Sequence, residues 1–277
     1  MAQQLPVTGA RERRAYADCR FGQLHLRYRR PERETAPPIL CFHMSPSSSR
    51  SFQILLRELG TDRLAMAADT PGYGQSDRPA EPCGIPGYAA AMGDALDALD
   101  LPKLDLVGFH TGSKVALSLA LQRPERVRRL VLIGAPVYSD EELAAQRKAY
   151  VPVEPEEDGS HLARRWKPYL LFRGPGQTVE MLQREFTDSL LPGPDYEWGH
   201  AAAFAWQHGE YLPKLAHPVL VLCPDDDLTK QTLRAEPLVR NGSFRRLPGW
   251  GHGLLEVHAP ELADILRGFL DGPAADV

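Results

Sequence analysis

Apolar residues follow two alternating rhythms along this chain. Short, nearly continuous runs such as Leu104-Asp105-Leu106-Val107 and Val219-Leu220-Val221-Leu222 have the length and content of strands buried on both faces. Further strands are expected over Ala15–Asp18 and Gln23–Tyr28, as a hairpin pair, and over Pro38–His43, Leu64–Ala68, Leu130–Ile133 and Phe244–Leu247. Between them lie helical patterns over Ser51–Leu59, Tyr88–Leu99 and Ser113–Leu121, with a last amphipathic helix over Pro260–Leu270. After Asp140 the rhythm stops. Residues 140–212 carry many charges, three of the tryptophans and breakers at Pro152, Pro155, Gly174-Pro175-Gly176 and Pro192-Gly193-Pro194, and read as a helical insertion. Alternation of this kind predicts an α/β fold with a mostly parallel, mainly eight-stranded sheet flanked by helices. The core domain is expected over 1–139 and 213–277, with 140–212 inserted as a helical cap.

The 277 residues, 43% hydrophobic and 25% charged, suffice for one large core plus a smaller insertion. Net charge is -4 and no basic run or aromatic-basic stripe occurs, so nucleic acid is not an expected partner. The first residues hold no apolar stretch long enough for a signal peptide and no later stretch approaches a membrane span, so a cytoplasmic protein away from membranes is expected. Cys19, Cys41, Cys83 and Cys223 show no Cys-x-x-Cys spacing and read as free thiols.

Chemistry concentrates at Gly108-Phe109-His110-Thr111-Gly112, between a strand and a helix. Glycines two before and two after a central residue permit a strained turn that projects its side chain at the top of the sheet. Four more segments occur in the order of one family: His43-Met44-Ser45-Pro46-Ser47-Ser48, Asp69-Thr70-Pro71-Gly72-Tyr73-Gly74-Gln75-Ser76-Asp77, the strand ending in Asp225-Asp226-Asp227, and Gly251-His252-Gly253 before the final helix. The sequence resembles the α/β-hydrolase fold superfamily over nearly its whole length, as an atypical member with histidine where the family's nucleophilic serine stands. The resemblance implies that His252 is the active-site histidine and that Asp227, by register with the family's acid turn, pairs with it; Asp226 remains the alternative, because only one of the three aspartates is expected to point inward. It also implies oxyanion or substrate-positioning roles for Thr111 and the Met44-Ser45 loop, and structural roles for Asp69 and Ser76 within their own turn.

A His110/His252/Asp227 site allows two routes. His110 could attack an activated acyl group directly, without the deprotonation that a serine requires, although its nitrogens reach further than a serine oxygen and displace the carbonyl from oxyanion donors that must lie about 3 Å away. Hydrolysis by that route is the first expectation; alternatively the two imidazoles serve as acid and base without a covalent intermediate, in a cofactor-free lyase, decarboxylase or oxygenase. Asp227 is expected to favour charge on His252 and leave His110 neutral. A catalytically inactive ligand binder is the remaining alternative. No compact metal-ligand spacing is present, so neither metal nor cofactor is expected. Trp166, Trp198 and Trp206 are expected to wall a pocket for a small, largely apolar molecule. The protein is expected to be a monomer or homodimer.

Overall fold

The computed structural model describes residues 4–9 and 11–273. Eight strands form one sheet: β1 (Arg13–Cys19), β2 (Gly22–Arg29), β3 (Ile39–Phe42), β4 (Ala65–Ala68), β5 (Leu104–Phe109), β6 (Val127–Ile133), β7 (Val219–Pro224) and β8 (Gly242–Leu247). Their spatial order is β1-β2-β4-β3-β5-β6-β7-β8. β1 pairs antiparallel with β2 and β2 with β4, and every later pairing is parallel.

Successive residues of the central strands enter two separate cores, because side chains alternate across a sheet. Leu40, Phe42, Met66, Leu106, Leu132 and Val221 face one core, which also takes residues of α2 (Gly84–Ala98) and α3 (Thr111–Gln122). Ile39, Cys41, Ala67, Val107, Ile133 and Leu222 face the other, beneath α1 (Gln53–Leu59) and, at the chain's end, the helix Ala259–Leu270. Both faces are thus covered, which is why β3, β5 and β7 are buried at every position.

Between β6 and β7 the chain makes five helices, α4 (Asp140–Ala149), α5 (Ser160–Leu171), α6 (Val179–Leu190), α7 (Trp198–Ala205) and α8 (His208–Tyr211). Two of them begin at side-chain caps: Ser139 accepts from the Glu142 N–H and Thr178 from the Met181 N–H. One tyrosine ties this segment to the loop that follows β4. The Tyr73 hydroxyl donates to Tyr196 O at 2.9 Å and accepts from the Gly199 N–H at 2.6 Å. Three further helices follow β7: α9 (Thr229–Leu233), α10 (Leu254–Val257) and α11, the Ala259–Leu270 helix already described. No described helix is long and apolar enough to cross a membrane.

Candidate active site

His110 occupies the turn between β5 and α3 with φ 49 and ψ -110, a conformation that a residue with a Cβ adopts only under strain of about 1–3 kcal/mol. The flanking glycines make the turn possible. A Cβ on Gly112 would lie 2.0 Å from Phe42 O, and one on Gly108 would lie 2.3 Å from Gly112 O. The turn is held by the His110 N–H, which donates to Ile133 O at 2.8 Å, and by Ser113, whose Oγ lies 2.5 Å from His110 O. Ser113 Oγ is also 3.0 Å from Nε2 of the buried His208. Ser113 therefore fixes the backbone of the turn.

The imidazole of His110 is fixed as firmly. Its Nε2 lies 2.8 Å from Asp226 Oδ2, and the Asp226 side chain is wholly buried. The other carboxylate oxygen accepts from the Leu228 N–H at 2.9 Å, so the acid is itself oriented. Gly134 supplies the space for the ring: a Cβ there would stand 2.5 Å from His110 Cδ2.

A second pair lies alongside. His252, in the turn between β8 and α10, places Nε2 2.6 Å from Asp227 Oδ1. The two imidazole centroids are 5.2 Å apart and their planes nearly perpendicular. Burial opposes charge on His252, but the hydrogen bond and charge of Asp227, helped by Asp226 and Glu185, raise its pKa. Burial likewise pushes Asp227 up, and the His252 hydrogen bond with the charges of His110 and His252 brings it below the usual carboxylate range. Nδ1 of each ring has no hydrogen-bond partner among the described residues.

The expectation that only one of the three aspartates turns inward is corrected. Asp226 and Asp227 each hold a histidine, while Asp225 accepts from the Gly249 N–H at 2.7 Å. The alternation behind that expectation belongs to strands, and β7 ends at Pro224. His110 is therefore not left without a carboxylate.

Both histidines and Asp227 line a cavity of about 350 Å³, together with Thr111, Met44 and Ser45. Its remaining wall is largely aromatic, with Tyr138, Tyr150, Tyr169, Phe172, Tyr196 and Phe204. None of the three tryptophans expected there lines it. Trp166 packs with Tyr169 and Phe186, Trp206 stacks on Tyr211 at 4.2 Å, and Trp198 opens α7 away from the cavity lining. Which face of each helix turns inward depends on packing that composition does not reveal.

His43 and Asp69 do structural work beside the site. His43 Nδ1 donates to Met44 O at 2.7 Å and Nε2 accepts from the Thr70 N–H at 2.9 Å. Asp69 accepts from the Ser49 and Gln75 N–H groups and pairs with buried His25 at 2.8 Å. No cluster of three or more His, Cys, Asp or Glu side chains among the described residues is placed to hold a metal ion.

Among the lining residues that the sequence did not single out, two, a carboxyl and an amine, are ionisable groups strongly shifted by burial. Burial pushes the Glu185 carboxyl up to about 7, with its Oε1 3.3 Å from Gln177 Nε2. Burial pushes Lys114 down to about 7. Lys114 was legible in principle, as a lone charge within the apolar run Ser113–Leu121.

A family model described as the alpha/beta hydrolase fold matches residues 37–259. The chain is 26% identical over 247 residues to a poly(3-hydroxyalkanoate) depolymerase from Ectopseudomonas oleovorans, covering 87% of each chain. It is 28% identical over 215 residues to a 2-hydroxy-6-oxo-2,4-heptadienoate hydrolase from Pseudomonas putida, covering 73% of this chain and 76% of that one. Among solved structures, an esterase from Thermogutta terrifontis superposes with a TM-score of 0.73 at 20% identity, covering 94% of this chain and 98% of the other. A bromoperoxidase from Bacillus anthracis gives 0.74 at 19%, covering 94% and 100%.

Proposed function

The chain belongs to the α/β-hydrolase fold family, and on that premise we propose that it hydrolyses a small, largely apolar organic substrate, an ester, lactone or activated acyl or C–C bond, by acid-base catalysis at His110 and His252. In this reading residues 140–212 act as a cap that shapes the pocket over a core of 1–139 and 213–277. The depolymerase and hydrolase among its relatives support hydrolysis, and the aromatic wall supports an apolar substrate.

One observation carries the choice of route. The far nitrogen of His110 is tied to buried Asp226, so the atom that would reach furthest toward a carbonyl is already engaged. A covalent acyl-imidazole at Nε2 would require that pair to break. Nδ1, the nitrogen left free, sits beside the ring carbon that carries the side chain and is the more crowded of the two, so it serves better as a base toward water than as a nucleophile toward a carbonyl. His110, its Nε2 held by Asp226, takes a proton from water on Nδ1 as the oxygen attacks the carbonyl carbon. His252, charged more readily because of Asp227, gives its proton to the leaving group as the acyl bond breaks. Thr111 opens α3, where N–H groups lack intrahelical partners, and with the Met44-Ser45 loop it serves the developing oxyanion. The reaction needs no cofactor.

The same observation favours a second reading, since a base held against a buried acid can equally remove a proton from carbon and initiate non-hydrolytic cleavage. Turnover of short-chain p-nitrophenyl esters, thioesters and lactones in isotopically labelled water separates the two. Label in the product carboxylate is expected from hydrolysis; conversion without incorporation would instead establish the lyase-type reaction.

A further inference from the structure

Lys114 lies one helical turn beyond His110 on α3 and lines the same cavity. It is 1% exposed. Its single hydrogen bond runs from Nζ to Trp206 O, the carbonyl that ends α7, at 2.7 Å. An ammonium carries three donors, and the others have no partner among the described residues. Among the described residues no carboxylate pairs with Nζ, and burial alone accounts for its weakened basicity. The other cations in the cavity wall are engaged. Arg164 pairs with Glu156, and Arg165 donates to Ser189 O while its guanidinium lies 3.8 Å from the Tyr196 ring centroid.

A buried cation without a counter-charge of its own is costly. The cost is offset when a ligand brings the missing anion. We propose that Lys114 anchors a carboxylate of the substrate, so that the cavity selects small organic acids whose scissile bond lies about one helical turn from the anchored group, opposite His110 and His252. Nζ also lies 5.9 Å from the Trp206 ring centroid, but that ring, like the Trp206 carbonyl, brings no full negative charge, so this cavity-lining residue still lacks a counter-anion.

The inference rests on the cavity being the substrate site proposed above, but a binding measurement reads it independently of turnover. Isothermal titration compares hexanoate with hexanamide, which match in shape and differ in charge, on wild type, His110→Ala, Lys114→Met and Lys114→Gln. Glutamine retains a donor for Trp206 O, so the variant keeps the contact to α7 while losing the charge. Wild type and His110→Ala are expected to bind hexanoate at least tenfold more tightly than hexanamide, and both Lys114 variants to lose that preference while hexanamide binding is unchanged. Hexanoate bound no more tightly than hexanamide by wild type, or a preference that survives Lys114→Gln, would overturn the anchor. A protein that selects hexanoate through Lys114 and hydrolyses none of the esters would overturn the hydrolase reading and leave the anchor standing.

Discussion

Nε2 of His110 and Oδ2 of Asp226 lie 2.8 Å apart, with the carboxylate sealed from solvent and the imidazole on the cavity wall. This pair, beside His252 and Asp227, gives the site two oriented imidazoles and makes each aspartate a separate test.

Asp226→Asn should disorient His110 while leaving the neighbouring pair intact. Removing an oriented acid-base group lowers rates by roughly 10²–10⁴. Steady-state assays on p-nitrophenyl butyrate are expected to show a fall in kcat of about that size for Asp226→Asn and for Asp227→Asn. Because the pairs serve attack and departure within one turnover, the double variant should lose far less than the product of the two. Full multiplicative loss would mean that they act independently.

Gly134→Ala tests the fit of the ring. The added methyl would press on His110 Cδ2 from a residue with φ +69. Displaced imidazole and backbone strain together should cost about 1–3 kcal/mol of stability by urea unfolding, with kcat reduced at least tenfold. A stable, fully active variant would show that His110 need not sit where it does.

The centre of the sheet was legible in the sequence because β3, β5 and β7 are buried on both faces and its turns are marked by glycine and proline. The strained turn at His110 was legible for a related reason: Gly108 and Gly112 are required by backbone contacts at 2.3 and 2.0 Å, and glycine spacing records such contacts directly. Asp226 was harder to place. It sits in an irregular turn, where the direction of a side chain follows from hydrogen bonds such as that of Leu228 N–H to its carboxylate and not from a period. The tryptophans misled for the opposite reason, since aromatic content marks a packed segment without saying which ring faces a cavity and which, like Trp206 on Tyr211, faces a neighbour.

The His252–Asp227 pair should leave a signature in stability against pH. His252 has a raised folded-state pKa, so its contribution is complete below its ordinary value near 6.5 and is lost as pH rises through the folded value. Asp227 has a lowered one, so its contribution is complete above about 3.9 and is lost as pH falls through the folded value. The stability difference between wild type and Asp227→Asn should therefore be larger at mildly acidic pH than at alkaline pH. Urea midpoints at the two conditions check this, and a difference independent of pH would contradict the pairing.

Lys114 should show the reverse trend. Its pKa is pushed down to about 7, so between that value and its ordinary one the unfolded chain binds more protons and stability rises with pH. Lys114→Met removes this slope. Its stability relative to wild type is expected to improve as pH falls from the alkaline range through neutrality, and a constant offset would mean that Lys114 titrates normally.

The central claim is that water, and not His110, attacks the substrate. Rapid-quench intact-mass spectrometry of the wild type during its first turnover of p-nitrophenyl butyrate tests it most directly, with release of p-nitrophenol followed in parallel. Turnover without a burst and without any butyryl adduct is the expected result. A kinetically competent butyryl adduct on His110 would contradict it.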